Sequence, residues 1–210
     1  MQNRFWLFLG LLAAATVLVG VAADLLWLRL VAKPFIIVAI IAWIWPFRSR
    51  YQQWIIAGLL FSISGGLLLE WPGLFLFGLI AFLLGHLAYI VAYLKATRRL
   101  ALWRVIPFFL YGFGIYALLW PGLESMTIPV GIYILVICTM MWRAAACLGS
   151  AGQPTRGEWA ALMGAILFAL SDSLIGISAF LNPLAWLTYP ILILYWAGQL
   201  GIAYSAIERV

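Results

Sequence analysis

The sequence predicts an all-α membrane protein, a bundle of eight transmembrane helices, and three observations carry that prediction. Apolar residues make up 67% of the 210 positions and charged residues 9%, where a soluble domain carries about 25% charge. The apolar runs are continuous rather than alternating, which is the pattern of membrane helices and not of a β-barrel. The 12 Trp, 13 Phe and 9 Tyr gather near the ends of those runs, as aromatic rings do at headgroup depth.

Pro, Gly and charge divide the chain into spans at about 4–23, 26–46, 53–70, 75–95, 105–120, 127–148, 158–180 and 187–206. The first begins like a signal peptide, with Arg4 before an apolar run and Gly20-Val21-Ala22 after it. An h-region is about 7–15 residues, shorter than this run, so the helix reads as retained. The second reaches membrane length only with Arg29 and Lys33 inside it, because Pro34 to Pro46 is too short to cross. The remaining six follow from their apolar lengths. The longest polar connection, 149-GSAGQPTRGE-158, is a loop, so one transmembrane domain accounts for residues 1–210.

Ten of the 12 basic residues fall on one side of the alternating spans: Arg4, Arg48, Arg50, Lys95, Arg98, Arg99, Arg104, Arg143, Arg156 and Arg209. Only Arg29 and Lys33 fall on the other. That bias predicts an even number of spans with both termini cytoplasmic. The net charge of +6 therefore reports orientation and headgroup contact, and nucleic acid is not an expected partner. Membrane lipids are. Cys138 and Cys147 sit about 13 Å apart along one helix, too far to bridge, and no metal-ligand spacing appears. No cofactor is expected. Compact loops point to a bacterial inner membrane.

Asp172 stands out, since a carboxylate inside an apolar span costs about 2.5–3.5 kcal/mol on insertion scales. At 1.5 Å per residue from the predicted inner boundaries, Lys33, Gly66, Asp172 and Tyr195 all lie about 20 Å up. His86, Ser62 and Gln199 lie about 14 Å up. Within helices, His86, Tyr89 and Tyr93 share a face, as do Tyr195 with Gln199, and Ser62 with Gly66 and Glu70. Small residues at 81, 85, 88, 198 and 201 would let helices approach around them. The simplest arrangement is one polar pocket opening toward the outer leaflet. Two readings stay open there: Asp172 as a site carboxylate, or as the buried ion-pair partner of Lys33. His86, the tyrosines and Gln199 are either site residues or packing whose polar atoms found partners.

At these residues the chain resembles the YhhN, or lysoplasmalogenase, family of eight-span membrane proteins. The resemblance rests on Lys33-Pro34, 58-GLLFSISGGLLLEWP-72, 78-GLIAFLLGHLAY-89, 164-GAILFALSDSLIGISAF-180 and 195-YWAGQL-200. Its most specific pieces are G-x-x-A-F-x-x-x-H-x-x-Y from Gly78 and L-F-x-x-S-D from Leu167. The resemblance implies hydrolysis of the vinyl ether of lysoplasmalogen to a fatty aldehyde and a glycerophospho-headgroup. It places Asp172 at a family acidic position; beside it Glu70 and His86 are the further catalytic candidates read from the residues, with Lys33, Ser62, Gly66, Tyr89, Tyr195 and Gln199 at the substrate. The chemistry needs an acid to protonate the enol-ether carbon, stabilisation of the oxocarbenium ion, and a base for water. One departure stands out: the family pattern S-x-x-G-D is 62-SISGG-66 here, so Gly66 occupies an aspartate position. Glu70, one turn beyond, is the nearest substitute. The alternative is a lysolipid-binding or lipid-transporting protein without chemistry; a third option is cleavage of another lysophospholipid bond. P-loop, nucleophile-elbow and HExxH motifs are absent from the sequence. Finally, 60-LFSISGGLL-68 echoes 167-LFALSDSLI-175, which points to a parallel four-helix duplication.

Overall fold

Every predicted span becomes a helix, and the boundaries move where a cap or a proline dictates. A computed structural model describes residues 2–208, apart from the side chains of Gln2 and Asn3; Arg209, counted above on the basic side, lies outside them. The helices are α1 Gln2–Ala22, α2 Leu26–Trp43, α3 Arg50–Leu68, α4 Phe75–Ala96, α5 Val105–Leu123, α6 Thr127–Cys147, α7 Arg156–Phe180 and α8 Thr188–Ile207. Three 3₁₀ turns precede α5, α6 and α8. Among the described residues, six helical segments are long and apolar enough to cross a membrane, one of which, Leu102–Cys147, holds both α5 and α6.

Helices α3 and α7 start earlier than hydropathy predicts, and for the same reason. Ser49 accepts from the Gln52 backbone N–H while Gln52 Oε1 accepts from the Ser49 N–H at 3.0 Å. Thr155 and Glu158 form the same capping box at α7. Each box satisfies two end donors that would otherwise face an apolar medium. Pro34 is accommodated inside α2, and α5 runs through Pro121 until Glu124 turns the chain at a φ of 44°.

The two capping boxes lie 106 residues apart, and at that offset Gly58 matches Gly164, Gly66 matches Asp172 and Tyr89 matches Tyr195. The register of the sequence echo is thus shifted by one residue. The packing repeats as well: α2 contacts α3 and α8, while α6 contacts α7 and α4. Gly66 is therefore the counterpart of Asp172 in the first half.

Successive helices alternate direction, so α1 begins and α8 ends at one end of the bundle, here the terminal end. Glycines hold two hairpins tightly. A Cβ on Gly164 would stand 2.7 Å from the Gly198 carbonyl, and one on Gly201 2.8 Å from that of Ala160, so α7 and α8 meet backbone to backbone. In α3–α4, a Cβ on Gly85 would stand 3.2 Å from the Gly58 carbonyl. Of the small residues expected at close approaches, Gly85, Gly198 and Gly201 lie at them.

The terminal end is closed by polar contacts. Tyr51 and Ser205 hydroxyls bond at 2.7 Å, and Gln52 Nε2 donates to the Ala206 carbonyl at 3.0 Å. Arg143, 2% exposed, donates to the Arg99 and Thr97 carbonyls at 2.8 and 2.6 Å. Arg104 donates to the Ala145 and Leu148 carbonyls. Two basic residues read as orientation signals therefore have a second task, capping helix-end carbonyls that face the bundle.

Candidate active site

Asp172 lies on α7 at the wall of a cavity in the distal half, its side chain 9% exposed. The Tyr133 hydroxyl, from α6, donates to Asp172 Oδ2. His86, from α4 and fully buried, places Nε2 3.7 Å from the same oxygen, just beyond hydrogen-bond reach. The imidazole is clamped edge-on between Phe168, with ring centres 4.7 Å apart, and Tyr133, at 5.2 Å. Neither ring nitrogen has a hydrogen-bond partner among the described residues. At the next residue, Tyr111 bonds Ser173 Oγ at 2.6 Å and tethers α5 over the cavity.

The Asp172 cavity encloses about 630 Å³ including its mouth, and its wall is otherwise almost wholly apolar: Leu79, Ile115, Leu119, Val130 and Ile134 are typical. A second cavity of about 520 Å³ holds Lys33, Ser62, Gly66 and Tyr195. Leu69, Phe82 and Ile175 line both. The single pocket expected from residue depth is thus two neighbouring cavities with a hydrophobic partition, because Phe82 turns inward. Its ring packs 5.8 Å from Phe168 and 5.9 Å from Tyr195.

Nor does Lys33 meet Asp172. Its Nζ pairs with Glu70, whose other oxygen lies 3.3 Å from Arg29 Nε, and Arg29 reaches Asp24 at 3.7 Å. Of the two readings of Asp172, the Lys33 ion pair is therefore excluded. Glu70 is held by two cations at the distal end and lines neither cavity. A Cβ on Gly66 would meet no atom within 4 Å, so the position faces open space. Below the second cavity, Tyr195 donates to the Ser62 carbonyl at 3.1 Å and Tyr89 to Gln199 Oε1 at 2.6 Å. Tyr89, Gln199 and His86 line neither cavity; His86 meets the first only through Asp172.

Tyr133 was not singled out by sequence reasoning, although depth would have found it. It lies fifteen residues from the predicted end of its span, about 22 Å up, at the level of Asp172. A lone hydroxyl in the run IYILVIC is otherwise indistinguishable from an interfacial aromatic.

A buried carboxylate, hydroxyl and imidazole thus meet beside an apolar cavity within an all-helical protein rich in apolar helices. The chain belongs to the YhhN family, whose model matches residues 28–206. It is 37% identical over 164 residues to a lysoplasmalogenase of Mycobacterium tuberculosis, covering 73% of this chain and 60% of that protein. Lysoplasmalogenase TMEM86A of Bos taurus is 36% identical over 158 residues, with 73% and 65% covered. Lysoplasmalogenase TMEM86B of Homo sapiens is 33% identical over 189 residues, with 88% and 78% covered. The chain spans about 60% of the length of the mycobacterial relatives it matches. No solved structure matches it.

Proposed function

We propose that this chain is a lysoplasmalogenase-type hydrolase that cleaves the vinyl ether of a single-chain lysophospholipid. The observation that carries the reading is Asp172, oriented by Tyr133 and His86 at the wall of an apolar cavity. Relatives at 33–37% identity bear the name lysoplasmalogenase. In the mechanism, Asp172 delivers a proton to the alkenyl carbon β to the ether oxygen, and the carboxylate left behind faces the oxocarbenium ion. It then takes a proton from water as the oxygen adds to the cationic carbon. The hemiacetal so formed breaks its bond to the glycerol oxygen, which leaves protonated, and a fatty aldehyde departs. One water is consumed per bond cleaved.

Tyr133 fixes Oδ2 by its hydrogen bond and leaves Oδ1 for the substrate. His86 acts as a positioning group behind the carboxylate, while Lys33 and Tyr195, with Ser62 and Gly66, frame space for the polar headgroup. Glu70 holds Lys33 and Arg29 in place and takes no part in proton transfer on this reading. Gln199 and Tyr89 brace the floor. The eight helices form one transmembrane domain that crosses the membrane eight times with both termini cytoplasmic. The distal cavities then face the outer leaflet of a bacterial inner membrane.

The test is aldehyde release from 1-alkenyl lysophosphatidylethanolamine by purified protein. The wild type is expected to release aldehyde and Asp172→Asn to lose about 10² or more of that rate. Equal rates in the two would remove Asp172 from the chemistry, and binding without release in the wild type would leave a lysolipid-binding protein.

A further inference from the structure

We propose that the seam between α5 and α6, closed over Gly112, is the lateral passage by which a single alkyl chain moves between the surrounding lipid and the Asp172 cavity. The inference rests on the reading of that cavity as a single-chain lipid site. On the outer surface of α5 and α6 lies a groove of about 860 Å³ including open space, flanked by Phe109, Phe113, Tyr116 and Leu135. Gly112, Ile134 and Cys138 line both this groove and the Asp172 cavity. Inside and outside are thus separated by the thickness of three side chains, one of them a hydrogen.

A second groove, on α3 and α4, provides the contrast. It is lined by Phe61, Leu68, Phe77 and Leu84 among others and shares no residue with either cavity. An ordinary helix seam therefore does not lead inward in this bundle.

The covering helix is weakly held. Of its 19 residues only Gly112, Leu119 and Leu123 are buried. Its side-chain tethers near the seam are Tyr111 to Ser173 and the Ala169 carbonyl, Tyr116 to the Thr127 carbonyl at 3.1 Å, and Cys138 Sγ to the Phe108 carbonyl at 3.2 Å. Gly114 faces open space, and Phe113 is 72% exposed on what the membrane reading makes a lipid-facing surface. An outward rotation of α5 at Gly112, where the two helices approach closely, would join groove and cavity. The occupant is a hydrocarbon chain because both compartments are apolar and Asp172 is the only carboxylate that either presents. The chain lies along α5 while its vinyl ether reaches Asp172.

The seam offers its own lock. A Cβ on Gly112 would lie 3.9 Å from Cys138 Cβ, within the separation of disulfide-bonded pairs. Gly112→Cys, oxidised with copper phenanthroline, should join α5 to α6. In phosphatidylcholine vesicles carrying 1-alkenyl lysophosphatidylethanolamine, the oxidised variant should lose about tenfold or more of its own reduced turnover and regain it in dithiothreitol. Gly112→Cys/Cys138→Ser should be indifferent to the oxidant. Full cross-linking without loss would overturn the passage. Retention of a radiolabelled 1-alkyl lysophospholipid, which has no vinyl ether to cleave, is measured in parallel. Its slowed uptake on oxidation supports the seam even if the protein releases no aldehyde, and unchanged uptake overturns it. If Gly112→Cys fails to fold, Gly131→Phe fills the groove from outside, where a Cβ meets Tyr116 at an ordinary 3.4 Å. It should raise KM several-fold with kcat retained, and an unchanged KM counts against the passage.

Discussion

The two ends of the bundle are built on opposite principles. At the terminal end, capping boxes, Arg104 and Arg143 tie loops to helix ends, and Tyr51, Gln52 and Ser205 fill the middle. Toward the distal end the same helices diverge around two cavities, and the polar side chains there converge on one another or on open space. The difference teaches that one half is closed by polar contacts while the other is held open around cavities, which is where the proposed chemistry would sit. A carboxylate is tolerable at depth only where a hydroxyl and a cavity receive it.

The largest expected effect lies in the distal half. Asp172→Asn, nearly isosteric, should cost about 10² or more in aldehyde release while the melting temperature of the detergent-solubilised protein stays within a few degrees. A large fall in melting temperature would make Asp172 structural and erase the division. The mirror experiment is replacing the buried Arg143 by Met (Arg143→Met), which strips donors from the Thr97 and Arg99 carbonyls. It should destabilise by about 1–3 kcal/mol, read as a lowered denaturant midpoint, with turnover per folded molecule retained.

Next in size is Tyr133→Phe, which removes the hydroxyl held by Asp172 but keeps the ring packed on His86. A hydrogen bond to a charged group is worth about 1.5–3 kcal/mol, so roughly a tenfold or greater fall in kcat is expected. Loss in KM alone would show that the bond does not orient the acid. Smallest is Gly66→Asp. The site is empty enough for the side chain and shares its cavity with Lys33 and Tyr195, so the loss of stability should stay below the about 2.5–3.5 kcal/mol of an unpartnered carboxylate at that depth. A rise in turnover would identify the missing carboxylate as an asset to the reaction, whereas a folding defect would show that the second cavity needs to stay empty.

The number and order of the helices were legible because a membrane helix must be apolar for a set length and must satisfy its own backbone. Both capping boxes were also written locally, in Ser49–Gln52 and Thr155–Glu158, though apolar run length alone placed those helix starts three and two residues late. The depth of Asp172, Lys33, Gly66 and Tyr195 followed from the rise per residue. Depth, however, leaves each helix free to rotate and says nothing of distance in the membrane plane. Which partner each charge takes was decided by tertiary packing: Lys33 turned to Glu70, Asp172 to Tyr133, and Phe82 was driven between them by its aromatic neighbours. A buried charge settles on the nearest donor or counter-ion that packing presents, and periodicity along one helix carries no information about the face of another.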